Sequence, residues 1–411
     1  MSKLKQITTI IGLFVLSQTA FSQLGVGCST SSMQITEYNE EMLNYQIQEN
    51  NLKNLMTWTD AWAIHSLAGM YEVTKKRKYL DKMIELVDAF ESKKNDTETG
   101  VLDHFMNKRA PSWLSYIKKW DPETGEQQKG PEVYTNIIQT SMLLLPIVTC
   151  AKTILSQPKL LSKKTKHGGI TGSTYGEKAN YYIKSSLESI NFFIDNGWLN
   201  ENTYLFEDRS NRFKEYDEVT NPIEPLAFNR MFNMGRTMKE LALACELTKK
   251  EEFNEYINLT EKVLHSMVAY YKDNIFIEKK NGTTQYYWYY KMRTYSKLVY
   301  EDLGHLGLDI DCLHYFYSIN ENHYGLQKSD FEAISNTILQ TVYSKEENGF
   351  YGLMNGTGKI SKKGFQNFIQ LSYYSPEIFD LICNYSYENK RKFYSYRFVQ
   401  LMEFENFSKN Q

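Results

Sequence analysis

The chain has 411 residues, a formal net charge of -2 at pH 7 and a hydrophobic content of 42%. This length can bury a large core in one domain or two, and the near-neutral charge gives no electrostatic indication of a nucleic-acid partner. Aromatic residues reach 14%, with 31 tyrosines. Tyrosine has a flat apolar face and a polar tip, which suit carbohydrate surfaces as well as core packing.

The N-terminus has the pattern of a secretory signal peptide. Two lysines within the first five residues precede a short apolar run at 10–16, and small residues follow up to Gln23. The run is too short to span a membrane. We therefore predict a signal peptide at 1–22 and a single domain at 23–411, secreted or periplasmic and without a membrane span. A lipoprotein anchor at Cys28 is less favoured because this cysteine lies far past the apolar run.

The sequence carries no recognisable cofactor or metal motif. It lacks the glycine-rich nucleotide fingerprints, the GxSxG elbow and the HExxH motif, and its seven histidines are spread out. We predict no cofactor and no metal. Four of the five cysteines lie in apolar helical patterns, so we expect buried free thiols. These four are Cys150, Cys245, Cys312 and Cys383.

Apolar residues recur at helical spacing along most of the chain. The predicted helices are 37–50, 57–74, 77–93, 133–155, 175–196, 224–247, 251–271, 303–317, 328–343 and 375–387. Pro146 predicts a kink in a buried helix, and Pro225 suits the first turn of another. Alternating residues around Asn281 and Gly282 predict a hairpin over 273–291.

Residues 95–131 lack periodicity and predict a long loop, a kind of segment that is often functional. Trp113 and Trp120 lie in it. Exposed, they would stack on sugar rings; buried, they would fasten the loop to the body of the protein. The sequence leaves both alternatives open.

Helices arrive in pairs and few segments favour strands, which predicts an all-α fold. The predicted architecture is an α/α toroid, an incomplete barrel of helical hairpins, with long loops and a minor β-hairpin. Stacking each pair on its neighbours buries faces that one pair cannot bury alone. A superhelical solenoid is the main alternative. In either fold, loops at one end of the pairs would line the functional cleft.

The stretch 286–317 combines many tyrosines with titratable groups. Its second half reads as a helix. Glu301 and Asp302 lie in the first turn, where carboxylates suit the helix dipole. His305 and Asp309 are then neighbours on one helical face. The stretch therefore predicts one wall of a sugar or organic-acid site.

Other polar residues stand at the edges of apolar helices. Gln139 interrupts an apolar run, Asn229 follows the sequence EPLAF, and Arg236 lies one heptad later on roughly the same side. An asparagine at a helix start is more often a cap than a catalyst. Their combination with an aromatic-rich stretch nevertheless favours a site.

Four segments carry a resemblance to a known family. They read TWTDAWAIHSLAGMYEVTKKRKYLD, IIQTSMLLLPI, EPLAFNRMFNMGRTMKELALACEL and YEDLGHLGLDID. In order and spacing they resemble secreted α/α-toroid polysaccharide lyases, including the alginate and glucuronan lyases of polysaccharide lyase family 38. The resemblance extends from about residue 57 to residue 317. In such proteins a histidine often stands where this chain has Gln139.

The resemblance implies cleavage of a uronic-acid-containing polysaccharide, alginate or glucuronan-like, by β-elimination. Removal of the proton at C5 builds charge on the neighbouring carboxylate, which the site must neutralise. Asn229, Arg293 and His305 are the residues expected to do so. A tyrosine would act as base and acid, and Arg293 beside Tyr295 or Tyr300 would favour the phenolate.

The remaining residues expected to contact an acidic polysaccharide substrate are Trp58, Trp62, Gln139, Arg236, Trp288, Tyr289, Glu301 and Asp302. A glycoside hydrolase on the same toroid is the main alternative. It requires two carboxyls about 5–5.5 Å or about 6.5–9.5 Å apart. The available carboxyls are Asp60, Glu301, Asp302 and Asp309. A non-catalytic glycan-binding protein is the third possibility.

Overall fold

The structure, a computed structural model, describes residues 32–47, 58–120, 127–207, 224–290, 299–362, 364–389 and 393–410. The predicted signal peptide and two predicted catalytic residues, Arg293 and Tyr295, lie outside these ranges. Within them the chain is mostly helical, with a few small sheets. This confirms the expectation of a helical protein with minor β structure.

The helices follow one another in the order α1 (Ser32–Leu43), α2 (Trp58–Thr74), α3 (Arg77–Glu91), α4 (Ile137–Leu155), α5 (Tyr175–Asp195), α6 (Phe228–Thr248), α7 (Asn254–Asn274), α8 (Leu303–Ile319), α9 (Lys328–Thr337), α10 (Pro376–Glu388) and α11 (Ser395–Asn410). Shorter helical pieces are the 3-10 turns Pro158–Leu160 and Glu251–Phe253, the π turn Ile338–Val342, and the 3-10 segment Gly364–Tyr373.

The strands form antiparallel two-stranded sheets. They are β1 (Leu114–Trp120) with β2 (Gln127–Thr135), β3 (Phe276–Lys280) with β4 (Thr283–Tyr287), and β5 (Tyr343–Ser344) with β6 (Gly349–Phe350). The hairpin predicted around Asn281 and Gly282 is confirmed. Both residues have positive φ, 50° and 77°, as a tight two-residue hairpin turn requires. The prediction of a purely irregular segment over 95–131 is wrong, because β1 and the start of β2 lie in it.

Among the described residues, six elements contact one another in a closed order. Helix α2 packs against α4, α4 against α6, α6 against α8, α8 against the 3-10 segment, that segment against α11, and α11 against α2. The other helices pack onto this order: α3 on α2 and α4, α5 on α4 and α6, α7 on α6, and α10 on the 3-10 segment. The contacts therefore return to the helix at which they begin.

Helix α4 shows why its sequence is nearly continuously apolar. Asn136 caps it, because its side-chain oxygen accepts the backbone N–H of Ile138 at 3.0 Å. The helix contains Pro146 and is covered on several sides by α2, α5 and α6. By length and composition α4 could cross a membrane, but 89% of its apolar window is buried inside the protein. A helix buried all round needs no polar face.

Some predicted boundaries are wrong for local reasons. Helix α6 begins at Phe228, while Pro225 forms an isolated β-bridge with Glu207 before the helix. Between the predicted helices 328–343 and 375–387, where five glycines (Gly349, Gly352, Gly356, Gly358 and Gly364) predict a loop, the structure has the 3-10 segment. Helix α11 carries no clear apolar stripe, since polar Arg397 and Gln400 are buried in it beside apolar residues.

Three of the four cysteine predictions are confirmed and one is wrong, and one of the two alternatives for Trp113 is decided. Cys150, Cys245 and Cys312 are buried and free, as predicted. Cys383 is disulfide-bonded, so the free thiol expected there is wrong. Trp113 is buried, and its indole N–H donates to the backbone oxygen of Phe90 at 3.0 Å. It therefore fastens its segment to α3 instead of meeting a sugar.

A buried ion pair joins α8 to α11. The guanidinium Nη1 of Arg397 donates to Oδ1 of Asp311 at 2.7 Å, and the Gln400 amide donates to the same oxygen at 3.2 Å. Both charged side chains are at most 9% exposed. The pair therefore links the last helix of the chain directly to α8.

We expect Arg397→Ala to lower the free energy of unfolding by about 3–5 kcal/mol, because the Asp311 carboxylate would stay buried without its cation. Urea unfolding followed by tryptophan fluorescence measures this loss. The control is Lys328→Ala, which removes an exposed pair with Glu332 at 3.7 Å and should change stability little. Equal losses in the two variants would contradict the prediction.

Candidate active site at the start of helix α8

One carboxylate begins α8 and holds an imidazole. Asp302 has extended backbone angles, and its Oδ1 accepts the backbone N–H groups of Gly304 at 2.8 Å and His305 at 3.1 Å. Its other oxygen, Oδ2, lies 2.5 Å from Nδ1 of His305. Asp302 is therefore both the N-cap of the helix and the partner of the first histidine in it.

This contact decides what His305 can do. With its proton on Nδ1 and directed at Asp302, the neutral ring leaves Nε2 with a free lone pair. The His305 side chain is 32% exposed, so the ring is accessible. Burial alone would raise the pKa of Asp302, but hydrogen bonds from the His305 ring and from backbone N–H groups outweigh it and hold the pKa below its ordinary value. The pair is therefore an ionised carboxylate beside an imidazole whose Nε2 faces away from it.

One tyrosine packs on His305, and two others pack on each other in the neighbouring segments. The ring of Tyr290 lies 4.9 Å from that of His305, and the rings of Tyr289 and Tyr300 lie 4.7 Å apart across an antiparallel bridge. The backbone N–H of Tyr290 donates to Val299 at 2.9 Å. The predicted Arg293 and Tyr295 belong to 291–298, outside the described residues.

Tyr300 is suited to donate a proton. Burial raises its pKa above the ordinary value of a phenol, and the neighbouring Tyr289 hydroxyl adds to the shift. At neutral pH its phenol is therefore protonated. The expectation of a phenolate base is not favoured at this tyrosine.

A buried carboxyl pair lies behind the histidine. Glu301 and Asp309 are both fully buried, and their carboxyl groups interact electrostatically. The indole N–H of Trp288 donates to Oδ2 of Asp309 at 3.0 Å. Burial raises the pKa of both carboxyls, and for Glu301 the adjacent Asp309 charge adds to the effect. Because two like charges cannot both persist there, the pair holds a proton at pH values where exposed carboxyls have lost theirs.

Aromatic rings connect this layer to the start of α6. The ring of Phe228 lies 5.5 Å from that of Tyr271, which lies 5.4 Å from that of Trp288. The next residue, Asn229, is 2% exposed, and its amide oxygen is buried with no hydrogen-bond partner in the part of the chain that the structure describes. Asn229 thus offers an unused acceptor at the start of α6.

The other predicted residues form two further groups. The indole N–H of Trp58 donates to the amide oxygen of Gln139 at 2.7 Å, which joins the first turns of α2 and α4. Trp62 packs on Tyr396 with ring centres 4.5 Å apart. Arg236 lies seven residues beyond Asn229, about 10 Å along the axis of α6, and lines a separate cavity.

Burial corrects several expected roles. Trp288 and Glu301 have no exposed surface, so neither side chain can form a sugar platform or touch a polymer. Asp60 is 1% exposed and accepts the Tyr45 hydroxyl at 2.6 Å. Of the four carboxyls considered for a hydrolase, only Asp302 has a substantially exposed side chain, at 46%.

Two groups in the described ranges bring possible metal ligands together. The ligand atoms of Glu301, Asp302 and His305 lie within 4.8 Å of one another. A cation there would have to displace the hydrogen bond between Asp302 and His305. The second group is Glu261, His265 and His323. Asp311, a further carboxylate of α8, is paired with Arg397.

Comparison with known proteins gives little. No known family profile matches the chain, and no curated protein does either. A solved structure that aligns over most of its length is the apo form of a beta-1,3-1,4-glucanase from Paenibacillus sp. X4. The identity is 12% and the TM-score 0.43, with 92% of this chain and 90% of that chain covered. This degree of likeness supports no inference about function.

We expect Glu301→Gln to gain stability relative to the unchanged protein as the pH rises. In the unfolded chain the two carboxyls lose their protons near their ordinary pKa of about 4, whereas burial raises both pKa values in the folded state. The unfolded state therefore binds fewer protons above pH about 4, and the folded state loses stability with rising pH. Glutamine removes the titrating group and keeps the shape.

Urea unfolding measured in steps from pH 4 to pH 8 tests this. The stability difference between the variant and the unchanged protein should grow with pH. Glu332→Gln, an exposed carboxyl on α9, is the control and should show no such trend. Parallel stability curves for the unchanged protein and Glu301→Gln would rule out the raised pKa values.

Proposed function

We propose that this protein is a secreted polysaccharide lyase that cleaves a uronic-acid-containing polymer, of alginate or glucuronan type, by β-elimination. The observation that carries the proposal is the accessible Asp302–His305 pair, with the ring of Tyr290 centred 4.9 Å from the imidazole. It supplies a base and an acid without requiring two carboxyls at the bond. That combination fits proton abstraction next to a carboxylate better than it fits glycoside hydrolysis.

The closed order of contacts supports the architecture that goes with this proposal. We infer that α2, α4, α6, α8, the 3-10 segment and α11 form the inner layer of an α/α toroid. An open solenoid would keep its first and last elements apart, whereas α11 packs against α2. Ser141 accepts the Asn233 amide at 2.9 Å, so early turns of α4 and α6 lie side by side. The starts of these helices then share one end of the ring.

In the proposed reaction, Nε2 of His305 takes the C5 proton, and Asp302 stabilises the imidazolium that forms. The charge that develops on the uronate carboxylate needs hydrogen bonds or positive charge. Arg293 is proposed to supply a guanidinium there, whereas Asn229, at 2% exposure, is as buried as the carboxyls excluded above and is not assigned this contact. The phenol of Tyr300 then protonates the leaving glycosidic oxygen. This assignment gives the base role to histidine, because the raised pKa of Tyr300 suits an acid.

The alternatives are less well supported. A hydrolase needs two carboxyls that reach the glycosidic bond, and Asp60, Glu301 and Asp309 are buried. A binding protein without catalysis has no need for a histidine held by a carboxylate in an accessible position. Both alternatives make different predictions in the same assay.

We expect the purified protein to generate ultraviolet absorbance on a uronate polymer, because elimination leaves a C4=C5 double bond in the product. The panel consists of glucuronan, alginate, pectate, ulvan and hyaluronan. New reducing ends without absorbance would identify a hydrolase. Neither signal on any of these polymers would contradict the proposal.

Variants then test the roles. His305→Gln and Tyr300→Phe should each lower kcat by about 10²–10⁴-fold, the usual contribution of a positioned acid or base. The matched controls are His104→Gln and Tyr387→Phe, since both side chains are exposed elsewhere on the surface. If His305→Gln keeps the kcat of the unchanged lyase, His305 is not the base.

A further inference from the structure

A cavity lies within the closed order of contacts, apart from the His305 site. Its volume is about 400 Å³, and every element of that order contributes to its wall: α2, α4, α6, α8, the 3-10 segment and α11. It shares no lining residue with the group around His305. The size is within the range of sites that enclose a small molecule.

Charged side chains form a connected network on the wall. The Lys152 ammonium donates to Oε1 of Glu240 at 2.7 Å, and the Tyr315 hydroxyl donates to the same oxygen at 2.6 Å. The Arg236 guanidinium lies over the Tyr315 ring, 5.0 Å from its centre, and its Nη2 lies 3.1 Å from Nε2 of His65. The network fixes the positions of these groups.

Three polar atoms of this network have no hydrogen-bond partner among the residues that the structure describes. They are Nε of Arg236, Oε2 of Glu240 and Nδ1 of His65. Arg236 is 8% exposed and Glu240 is 2% exposed. Folded proteins seldom leave such groups unsatisfied, since each costs free energy. These unsatisfied donor and acceptor atoms belong to side chains that line the cavity.

The charges on the wall exclude an anion as the natural occupant. Lys152 and Arg236 are positive, but Glu240, Glu72 and Glu403 stand on the same wall. Burial raises the pKa of Glu403 to about 7, so near neutrality this carboxyl also offers a proton to donate. An anionic ligand would meet three carboxyl groups and only two cations, whereas hydroxyl groups can satisfy all of them.

We propose that this cavity binds a neutral polyhydroxy compound the size of a monosaccharide or disaccharide. Each hydroxyl group donates and accepts, so one ligand can bond both the cationic and the carboxyl side chains that line the cavity. Apolar contact comes from Val399 and the ring of Tyr396. The site is separate from the His305 site and does not depend on lyase activity.

Calorimetric titration of the full chain tests the proposal. The ligands are glucose, mannose, galactose, xylose and cellobiose, with glucuronate as the charged comparison. At least one neutral sugar should bind, and more tightly than glucuronate. Failure of every neutral sugar to bind, or preference for glucuronate, overturns the proposal.

Ser156→Trp locates the site without disturbing the buried network. Ser156 is an exposed residue on the cavity wall that caps the end of α4, and its hydroxyl bonds the oxygen of Lys152 at 2.9 Å. Tryptophan should obstruct the opening and abolish sugar binding. The control is Ser92→Trp, because Ser92 caps α3 with an equivalent bond to Ala89 at 2.8 Å.

Two further variants separate this site from the active site. Arg236→Met should weaken sugar binding roughly tenfold or more, the worth of a hydrogen bond from a charged donor. His305→Gln should leave sugar binding unchanged. If His305→Gln abolishes binding while Ser156→Trp does not, the sugar occupies the active site and the second site does not exist.

Discussion

The hydrogen bond between Asp302 and His305 is the interaction on which the candidate active site depends. A single carboxylate satisfies two backbone N–H groups at the start of α8 and directs one imidazole nitrogen. The position of the ring is therefore fixed by the helix itself and not by a mobile loop. Sites that are built on rigid elements hold their geometry more closely. The same carboxylate remains ionised because the contacts that cap the helix favour its charge.

The polar residues behind and beside this pair have different positions and different roles. Glu301, Asp309 and Trp288 form a buried support that no substrate can touch. Asn229 and Arg236 lie on one helix, about 10 Å apart along its axis, and serve different places. The first stands at the start of α6, connected to the α8 site through aromatic rings. The second stands in a cavity bounded by every element of the closed contact order. The two proposed sites therefore differ in chemistry although they share the same helices.

The sequence predicts most of the helices, because their apolar residues recur with a clear period, and it predicts the hairpin from Asn281 and Gly282. It misses α11, where Arg397 and Gln400 are buried among apolar residues, and the 3-10 segment, which follows a glycine-rich stretch typical of a loop. For the site, the local pattern around Asp302 and His305 predicts their association. It cannot predict that Glu301 and Trp288 are fully buried, since burial depends on packing against residues far along the chain. Asp309, which lies between apolar Leu308 and Ile310 in α8, is the available signal for the buried pair.

Both places contain groups whose burial costs stability. Two carboxyls at one buried point must share a proton, and the unpartnered atoms of Arg236 and Glu240 have lost their water. A chain selected for stability alone would replace such groups by apolar ones, which is often neutral or stabilising. Conflicts between local chemistry and packing are expected where function requires them. Their concentration at the start of α8 and in the cavity, each beside accessible space, therefore favours function over structural support at both places.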